Sequence, residues 1–285
     1  MTNISPGLAK AVWARPEAAP ERVDKNRLGH NFNRQAAGYD QHAAVQQRLA
    51  QRLIHSLPAL PRPPARILEI GCGTGYLTAL LSRAFPAAHL TALDLAPAAV
   101  QAARKRLAAA PGIDFLVADG EQEVPGCFDL ITSNAVFQWF SQPAAACGRY
   151  YRHLRPGGVL AFATLGPRTF RELAACFQEA GRLHPELAVP EIPAQHFASG
   201  EAWQTYLERA GFRQVRRRQE IWEEVYPDLW AFLRAVRGMG ATSTRPRFIA
   251  RRLLAAMAAA YERRFRGPQG LTVTYEVMWL QGRKP

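Results

Sequence analysis

Three glycines at alternate positions follow a short apolar segment near residue 70. They are Gly71, Gly73 and Gly75, within the sequence ILEIGCGTG. Glycine has no Cβ, so the backbone and a ligand can approach each other closely at these positions. The dinucleotide-binding fingerprint G-x-G-x-x-G would place its third glycine at position 76, where this chain has Tyr76. The loop also has no lysine that would bind a phosphate. The glycine spacing therefore favours S-adenosylmethionine over NAD.

Acidic residues follow the apolar segments of this region in the order that an adenosine requires. Glu69 lies just before the glycines, and we expect it to orient the loop or the ammonium group of the cofactor. Asp94, followed by Leu95, stands where nucleotide-binding folds place a carboxylate on the ribose hydroxyls. Asp119, followed by Gly120, is predicted to accept a hydrogen bond from the adenine amino group. Each acid alone is typical of a turn or helix cap, but the three in order indicate a cofactor site.

The remaining cofactor ligands are predicted from two other segments. The sequence SNAVFQWF, residues 133–140, follows the fourth apolar segment and would cross the methionine end of the cofactor. Asn134 is the predicted ligand there, and the three aromatic residues after it suit either the core or the wall of the site. Tyr39 and the helices around it are expected to close over the cofactor as a lid, although ordinary packing against the sheet would give the same pattern.

An alternation of strand and helix patterns positions these residues. Short apolar segments stand at 66–70, 89–93, 113–117, 128–132 and 159–164. Helical periodicity between them indicates parallel strands joined by crossover helices. Two later strands are predicted, from Gln214 to about Val225 and from Thr272 to Leu280. The predicted fold class is therefore α/β, a Rossmann-like sheet of seven strands that is mostly parallel with an antiparallel last strand.

Charge and composition narrow the classes of partner and compartment. The 285 residues carry a formal charge of +13, and from Glu201 onward 16 Lys/Arg stand against 8 Asp/Glu. Such a field favours an anionic partner, either nucleic acid or an acidic protein. The four cysteines are scattered, so neither disulfides nor a metal site is predicted. The sequence shows no transmembrane or secretory segment, and we expect a cytoplasmic protein.

Several motifs together resemble known methyltransferases. The glycine loop, the two Asp positions and the turn at 155–158, RPGG, are similar to class I S-adenosylmethionine-dependent methyltransferases. Within that class, further segments resemble the malonyl-[acyl-carrier protein] O-methyltransferases of biotin synthesis. These segments are 23–25 with 32–40, 164–173, and 240–242 with 274–277. Composition and periodicity along the chain predict a disordered tail at 1–22, a helical lid at 23–57, a methyltransferase core at 58–226, a basic helical insertion at 227–267 and a last core strand at 268–285.

The resemblance implies methylation of the free carboxylate of malonyl-acyl carrier protein to its methyl ester. A carboxylate with a pKa of about 4 is already ionised at neutral pH, so no catalytic acid or base is expected. An arginine would bind the carboxylate through its planar, bidentate guanidinium. Arg168, where the family usually has a small residue, and Arg245 are the candidates. Arg237 and Arg217 belong to a basic surface that would attract the acidic carrier protein.

Other readings of the sequence stay open. A class I methyltransferase acting on a free small carboxylic acid or another small molecule would share the lid and the glycine loop. An RNA methyltransferase would explain the charge, but the fourth strand lacks the Asn/Asp-Pro-Pro-aromatic signature of amino-group methylation. A non-catalytic binding protein on the same scaffold is disfavoured by the complete glycine loop and both acids. Fold alone does not choose between these substrates.

Overall fold

A central sheet organises the computed structural model, which describes residues 23–58, 60, 62–122, 126–240 and 249–285. The predicted tail at 1–22 lies outside the described residues, as do Ala241, Thr242 and Arg245. The strands are β1 Arg66–Ile70, β2 His89–Asp94, β3 Ile113–Val117, β4 Phe128–Asn134, β5 Leu154–Leu165, β6 Arg213–Tyr226, β7 Arg266–Gly267 and β8 Gly270–Arg283.

The order of the strands confirms the predicted fold class. It is β3-β2-β1-β4-β5-β8-β6, with β1 to β5 parallel to one another and β8 antiparallel to both of its neighbours. The last strand thus lies inside the sheet, between β5 and β6. The two-residue strand β7 was not predicted; it forms a short hairpin with the start of β8.

Ten helices accompany the sheet in the described ranges. They are α1 Lys25–Gln35, α2 Tyr39–His42, α3 Ala44–Ser56, α4 Tyr76–Ala84, α5 Pro97–Arg106, α6 Pro143–His153, α7 Arg171–Leu183, α8 Gly200–Arg209, α9 Leu229–Gly238 and α10 Arg251–Phe265. Asp24, Ser199 and Asp228 cap α1, α8 and α9, because each side chain accepts a hydrogen bond from a backbone N–H of the first turn.

The N-terminal leader contains three helices rather than the two that its periodicity predicts. The predicted break at Gly38 is present, and a second break follows at Ala43, whose ψ of 27° is not helical. The predicted boundaries at 23–57, 58–226, 227–267 and 268–285 stay predictions. Each described helix is too short or too polar to cross a lipid bilayer.

Both faces of the sheet are covered, as expected for parallel strands. On one face, α3, α7 and α10 pack with Ile67 of β1 and Val273 of β8 in one core. On the other face, α6 and α8 pack with Leu68 of β1 and Phe162 of β5 in a second core. The side chain of Phe162 is completely buried, with ring centroids 4.5 Å from Phe137 and 5.1 Å from Trp203.

Truncation of this aromatic core should be costly. We expect Phe162→Ala to lower the free energy of unfolding by about 3–5 kcal/mol, because it removes a fully buried ring and leaves a cavity. Urea denaturation followed by circular dichroism measures the change. Trp230→Ala is the matched control, since that ring is 49% exposed, and it should change stability by less than about 1 kcal/mol. Equal losses in the two variants would contradict the assignment of the core.

Candidate cofactor and substrate site

A cavity lies at the carboxyl ends of β1, β2 and β4 and is covered by α1 and α2. We call it the first cavity. It is lined by Lys25, Leu28, Phe32, Ala36, Tyr39, Ile70, Gly71, Gly73, Thr74, Leu93, Asp94, Leu95, Ala99, Ala118, Asp119, Gly120, Asn134, Ala135, Val136, Trp139 and Phe140. Eight of the ten predicted cofactor ligands are therefore brought together; Glu69 and Gly75 are not in the lining.

The three glycines of the loop adopt positive φ angles for different reasons. A Cβ on Gly71, which has φ +73°, would overlap the side chain of Val136. Gly73 has φ +52° and no atom within 4 Å of its Cβ position, so it presents bare backbone to the first cavity. Gly75 has φ +84°, and its Cβ position is 3.0 Å from Cβ of Ala103 in α5. Gly71 and Gly73 thus shape the cavity, whereas Gly75 allows close packing of α5.

Asp94 fastens the glycine loop to the end of β2. Its Oδ2 accepts a hydrogen bond of 2.8 Å from the N–H of Gly73, and its Oδ1 accepts one of 2.8 Å from the N–H of Ala96. Burial raises the pKa of Asp94, although these backbone donors oppose the shift. Each oxygen keeps a lone pair for a further donor. The carboxylate can therefore hold the loop and accept from two ribose hydroxyls together.

Asp119 is held by a lysine that the sequence analysis did not include in the site. Nζ of Lys25 lies 2.7 Å from both Asp119 oxygens and also forms an ion pair with Glu121. Burial alone would raise the pKa of Asp119, but the hydrogen bonds from Lys25 and from the N–H of Glu121 outweigh it and lower the pKa. The side chain is thus kept ionised, as a hydrogen-bond acceptor for an amino group.

Glu69 does not line the first cavity, and its role toward the loop or the ammonium stays a prediction. It is 1% exposed, and neither carboxylate oxygen has a hydrogen-bond partner among the described residues. Burial raises its pKa to about 8; the nearby Thr78 hydroxyl, outside hydrogen-bonding geometry, opposes this slightly, and the charge of Asp94 adds to it.

Asn134 supplies an acceptor for the polar end of a cofactor. Its Nδ2 donates a hydrogen bond of 3.0 Å to the carbonyl of Gln46, while its buried Oδ1 has no partner among the described residues. An ammonium group in the first cavity would satisfy this oxygen. Of the three aromatic residues that follow, Trp139 and Phe140 line the cavity, whereas Phe137 belongs to the core.

The N-terminal helices are fixed over the first cavity by polar contacts. Oδ1 of Asn33 accepts a hydrogen bond of 2.7 Å from the N–H of Ala98, in the first turn of α5. Asp40 accepts one of 2.6 Å from the Thr74 hydroxyl and forms an ion pair with Arg106. These contacts, with the Lys25 ion pairs, place α1 and α2 where a lid over the cofactor is expected.

A second cavity adjoins the first. The two share Phe32, Tyr39, Ala135 and Trp139 in their linings. The open space of the second cavity, about 270 Å³, exceeds the about 110 Å³ of the first. Its wall is mainly aliphatic and aromatic, contributed by α7, α9, α10 and the segment 190–197. Among the described residues that line it there is no lysine, arginine or histidine.

The arginines predicted for the substrate do not gather at this cavity. Arg168 donates from its backbone N–H and its Nε to Glu276, at 2.7 and 2.9 Å. Arg217 forms an ion pair with Glu201, and Arg237 is exposed on α9. None of these three lines the second cavity, and Arg245 lies outside the described residues. Their roles toward the substrate stay predictions.

Comparison with known families and structures agrees with the geometry of the first cavity. Residues 68–162 match the family described as Methyltransferase domain. The YcgJ protein of Bacillus subtilis superposes with a TM-score of 0.57 at 15% identity, covering 83% of this chain and 98% of that one. A putative methyltransferase of Bacillus halodurans superposes with a TM-score of 0.56 at 17% identity, with the same coverages. These likenesses show the fold of the chain, and residues 68–162 form a methyltransferase domain.

Loss of the Asp94 carboxylate should disable the first cavity. We expect Asp94→Ala to lower the affinity for S-adenosylmethionine at least about 100-fold, since charge-assisted hydrogen bonds to two hydroxyls are lost. Isothermal calorimetry measures the affinity, and circular dichroism tests the fold. Asp114→Ala is the matched control, because that carboxylate lies on β3 and is 64% exposed. Unchanged affinity in Asp94→Ala would remove the ribose assignment.

The buried Glu69 should make the cofactor-free protein less stable as pH rises. The pKa of its carboxyl is about 8 when folded and near 4.5 when unfolded. Between these values the folded state keeps a proton that the unfolded state has released. The stability that this retained proton contributes is fully present below pH 4.5 and is lost as pH rises to 8. The free energy of unfolding falls by up to about 1.4 kcal/mol per pH unit in this range.

Urea unfolding at pH 5, 6, 7 and 8 tests this pH dependence. Glu69→Gln should lose less stability than the unaltered protein across this range, since its amide does not titrate. Glu186→Gln provides the control, because that side chain is 60% exposed, and it should keep the original slope. Parallel curves for the Glu69→Gln variant and the unaltered protein would exclude a raised pKa at this position.

Three relatives of this chain carry the name malonyl-[acyl-carrier protein] O-methyltransferase. That of Paenibacillus sp. is 40% identical over 90% of this chain and 97% of the relative. That of Geobacter sulfurreducens is 36% identical over 92% and 100%, and that of Anoxybacillus flavithermus is 37% identical over 90% and 97%. Because these matches cover at least nine tenths of this chain and nearly all of each relative, the chain belongs to the malonyl-[acyl-carrier protein] O-methyltransferase family.

Proposed function

We propose that this enzyme transfers a methyl group from S-adenosylmethionine to the free carboxylate of malonyl-acyl carrier protein, at an early step of biotin synthesis. The product is the methyl ester of the malonyl thioester. The names of the relatives support this substrate. The structural observation that carries the proposal is the junction between the two cavities, since a group held in one can meet a group held in the other there.

The described lining of the second cavity suits a nucleophile that is already ionised. Its only acidic side chain is Glu191, which is about half exposed and faces His196 at 3.8 Å. Burial, and then the charges of Asp94 and Asp40, raise the pKa of Tyr39 far above its ordinary value, so its hydroxyl stays neutral. A phenol or an ammonium would need a base to remove its proton. A carboxylate needs none.

The apolar wall would also make the carboxylate a better nucleophile. The cofactor supplies an electrophilic methyl group on a sulfonium. The chain's own residues would align the carboxylate with that methyl group and exclude water, which otherwise solvates the anion. Trp139 and Phe32 contribute to both cavities, with ring centroids 6.3 Å apart. These two rings would separate the reacting groups from solvent at the junction.

The proposal extends to the cofactor ligands and to the cellular setting. Within it, Asp94 accepts from the ribose, Asp119 from the adenine amino group and Asn134 from the ammonium, while Tyr39 covers the methionine end. The leader at 23–57 acts as the lid on the core at 58–226, and the insertion at 227–267 closes the second cavity. The partner is an acyl carrier protein, and the compartment is the cytoplasm.

A labelling experiment tests the substrate. The enzyme is incubated with S-adenosylmethionine labelled in its methyl group, and malonyl-acyl carrier protein, malonyl-coenzyme A, free malonate and total RNA are supplied in separate reactions. We expect base-labile label on the malonylated carrier protein and at least about 10-fold less in the other reactions. Asp94→Ala supplies the background.

The other outcomes identify the alternatives. Label confined to free malonate would favour a methyltransferase of small acids, and label confined to RNA would favour nucleic acid as the substrate. Absence of label from every malonyl compound would overturn the proposed function.

A further inference from the structure

The outer wall of the second cavity carries an uncompensated positive charge. From Leu229 to Tyr261 the sequence contains six arginines and no acidic residue. Leu233 and Val236 of α9, and Leu254 and Met257 of α10, line the cavity with their apolar faces. The same two helices expose four arginines to solvent: Arg234, Arg237, Arg251 and Arg252. Charge and cavity are thus built from the same elements.

These four arginines differ from several others of the C-terminal third, although Arg209, Arg213 and Arg216 are exposed and, in the part of the chain that the structure describes, unpaired as well. Within the described ranges none of the four makes an ion pair or a hydrogen bond through its side chain. At the other end of α10, by contrast, Arg263 and Arg264 both bind Glu179, and Arg266 binds Glu262. Arg217 and Arg218 on β6 are paired as well. Four of the unpaired positive charges of this third therefore lie together on α9 and α10, beside the second cavity.

Two of the arginines stand where helix electrostatics disfavour them. Arg251 and Arg252 occupy the first two positions of α10, and no acidic residue stands in that turn. The unpaired N–H groups of a helix N-terminus carry partial positive charge, which destabilises cations placed there. This arrangement is unfavourable for the isolated fold, so the fold alone does not explain the two side chains.

The other border of the second cavity lacks this excess of positive charge. The segment 190–197 contributes much of its wall. Close to this segment, Glu186 is 60% exposed and Glu191 is 53% exposed. An acidic macromolecule would therefore be attracted more strongly to α9 and α10 than to this border. The asymmetry defines one side of the cavity on which such a partner fits.

We propose that the exposed faces of α9 and α10 form the docking surface for the acidic carrier protein, with Arg234, Arg237, Arg251 and Arg252 as its charged contacts. This inference rests on the proposed function, in which the acyl group enters the cavity while the carrier stays outside. The acidic partner would offer surface carboxylates, which would bind the four guanidinium groups. Such contacts at a rim mainly accelerate association and select the partner.

The substitution Arg251→Glu with Arg252→Glu gives a test that separates docking from folding. Reversal of both charges should lower kcat/KM for malonyl-acyl carrier protein at least about 10-fold, because KM rises. It should not raise kcat/KM for any substrate. Malonyl-pantetheine, which lacks the protein, should change by less than about twofold. The thermal midpoint should stay equal or rise, because acidic residues suit a helix N-terminus.

A second double variant controls for net charge. Arg83→Glu with Arg209→Glu makes the same change of four charge units at exposed positions of α4 and α8. It should leave kcat/KM for the carrier substrate within about threefold. Raised salt should slow the unaltered enzyme with the carrier substrate and should affect the Arg251 and Arg252 variant much less.

The outcomes distinguish this inference from the proposed function. Equal losses in the two double variants would overturn the docking surface and leave only a general effect of charge. Equal losses with the carrier substrate and with malonyl-pantetheine would overturn it as well, since the arginines would then act on the acyl group. If the unaltered enzyme methylates neither malonyl substrate, the proposed function itself fails.

Discussion

The site depends on the contact between Asp94 and the glycine loop. The loop leaves β1 with three positive φ angles, a conformation that glycine permits but does not enforce. The carboxylate at the end of β2 accepts the N–H of Gly73, and the N–H groups of Gly71 and Cys72 donate to the carbonyl of Leu93 at 2.7 and 2.8 Å. The end of β2 thereby determines the conformation of the loop that follows β1. The first cavity lies between these two segments and depends on the contact between them.

The chemistry of the site follows from what surrounds this joined core. Around the first cavity, buried carboxylates and an amide offer acceptors to a cationic, hydroxyl-rich ligand. Around the second, the described wall offers apolar surface and neutral polar groups. The boundary between these environments lies at Tyr39 and Trp139, which belong to both. An enzyme built this way orients the reacting groups and excludes water from them. The reactive charges are those of the cofactor and the substrate.

Features encoded locally were predictable from the sequence. Strands β1 at 66–70 and β3 at 113–117 were predicted with the bounds observed, since short apolar runs carry that information. Asp94 and Asn134 were predicted because each follows a strand whose end meets the glycine loop. Most of the predicted cofactor ligands were thus brought together in the first cavity.

Features that join distant segments were not predictable from the sequence. Lys25 reaches Asp119 across 94 positions, and no local pattern marks that pair. Arg168 was placed toward the substrate, but its neutralising partner Glu276 lies 108 positions away. The second cavity takes its wall from residues between Phe32 and Tyr275, so its shape appears only when the chain is folded. Substrate-facing residues are for this reason less predictable than cofactor-facing ones.

The position of β8 has a consequence for how the chain reaches its folded state. In the sheet order, β6 hydrogen-bonds to β8 and to no other described strand, although β6 precedes β8 by the whole of α9 and α10. During synthesis from the N-terminus, β6 emerges before its only partner exists, and the edge of β5 stays open. The parallel half of the sheet can form early, whereas closure of the two cores must wait for β8. A nascent chain halted before β8 therefore exposes the open edge of β5 together with an unpaired β6, a state prone to pair with another copy.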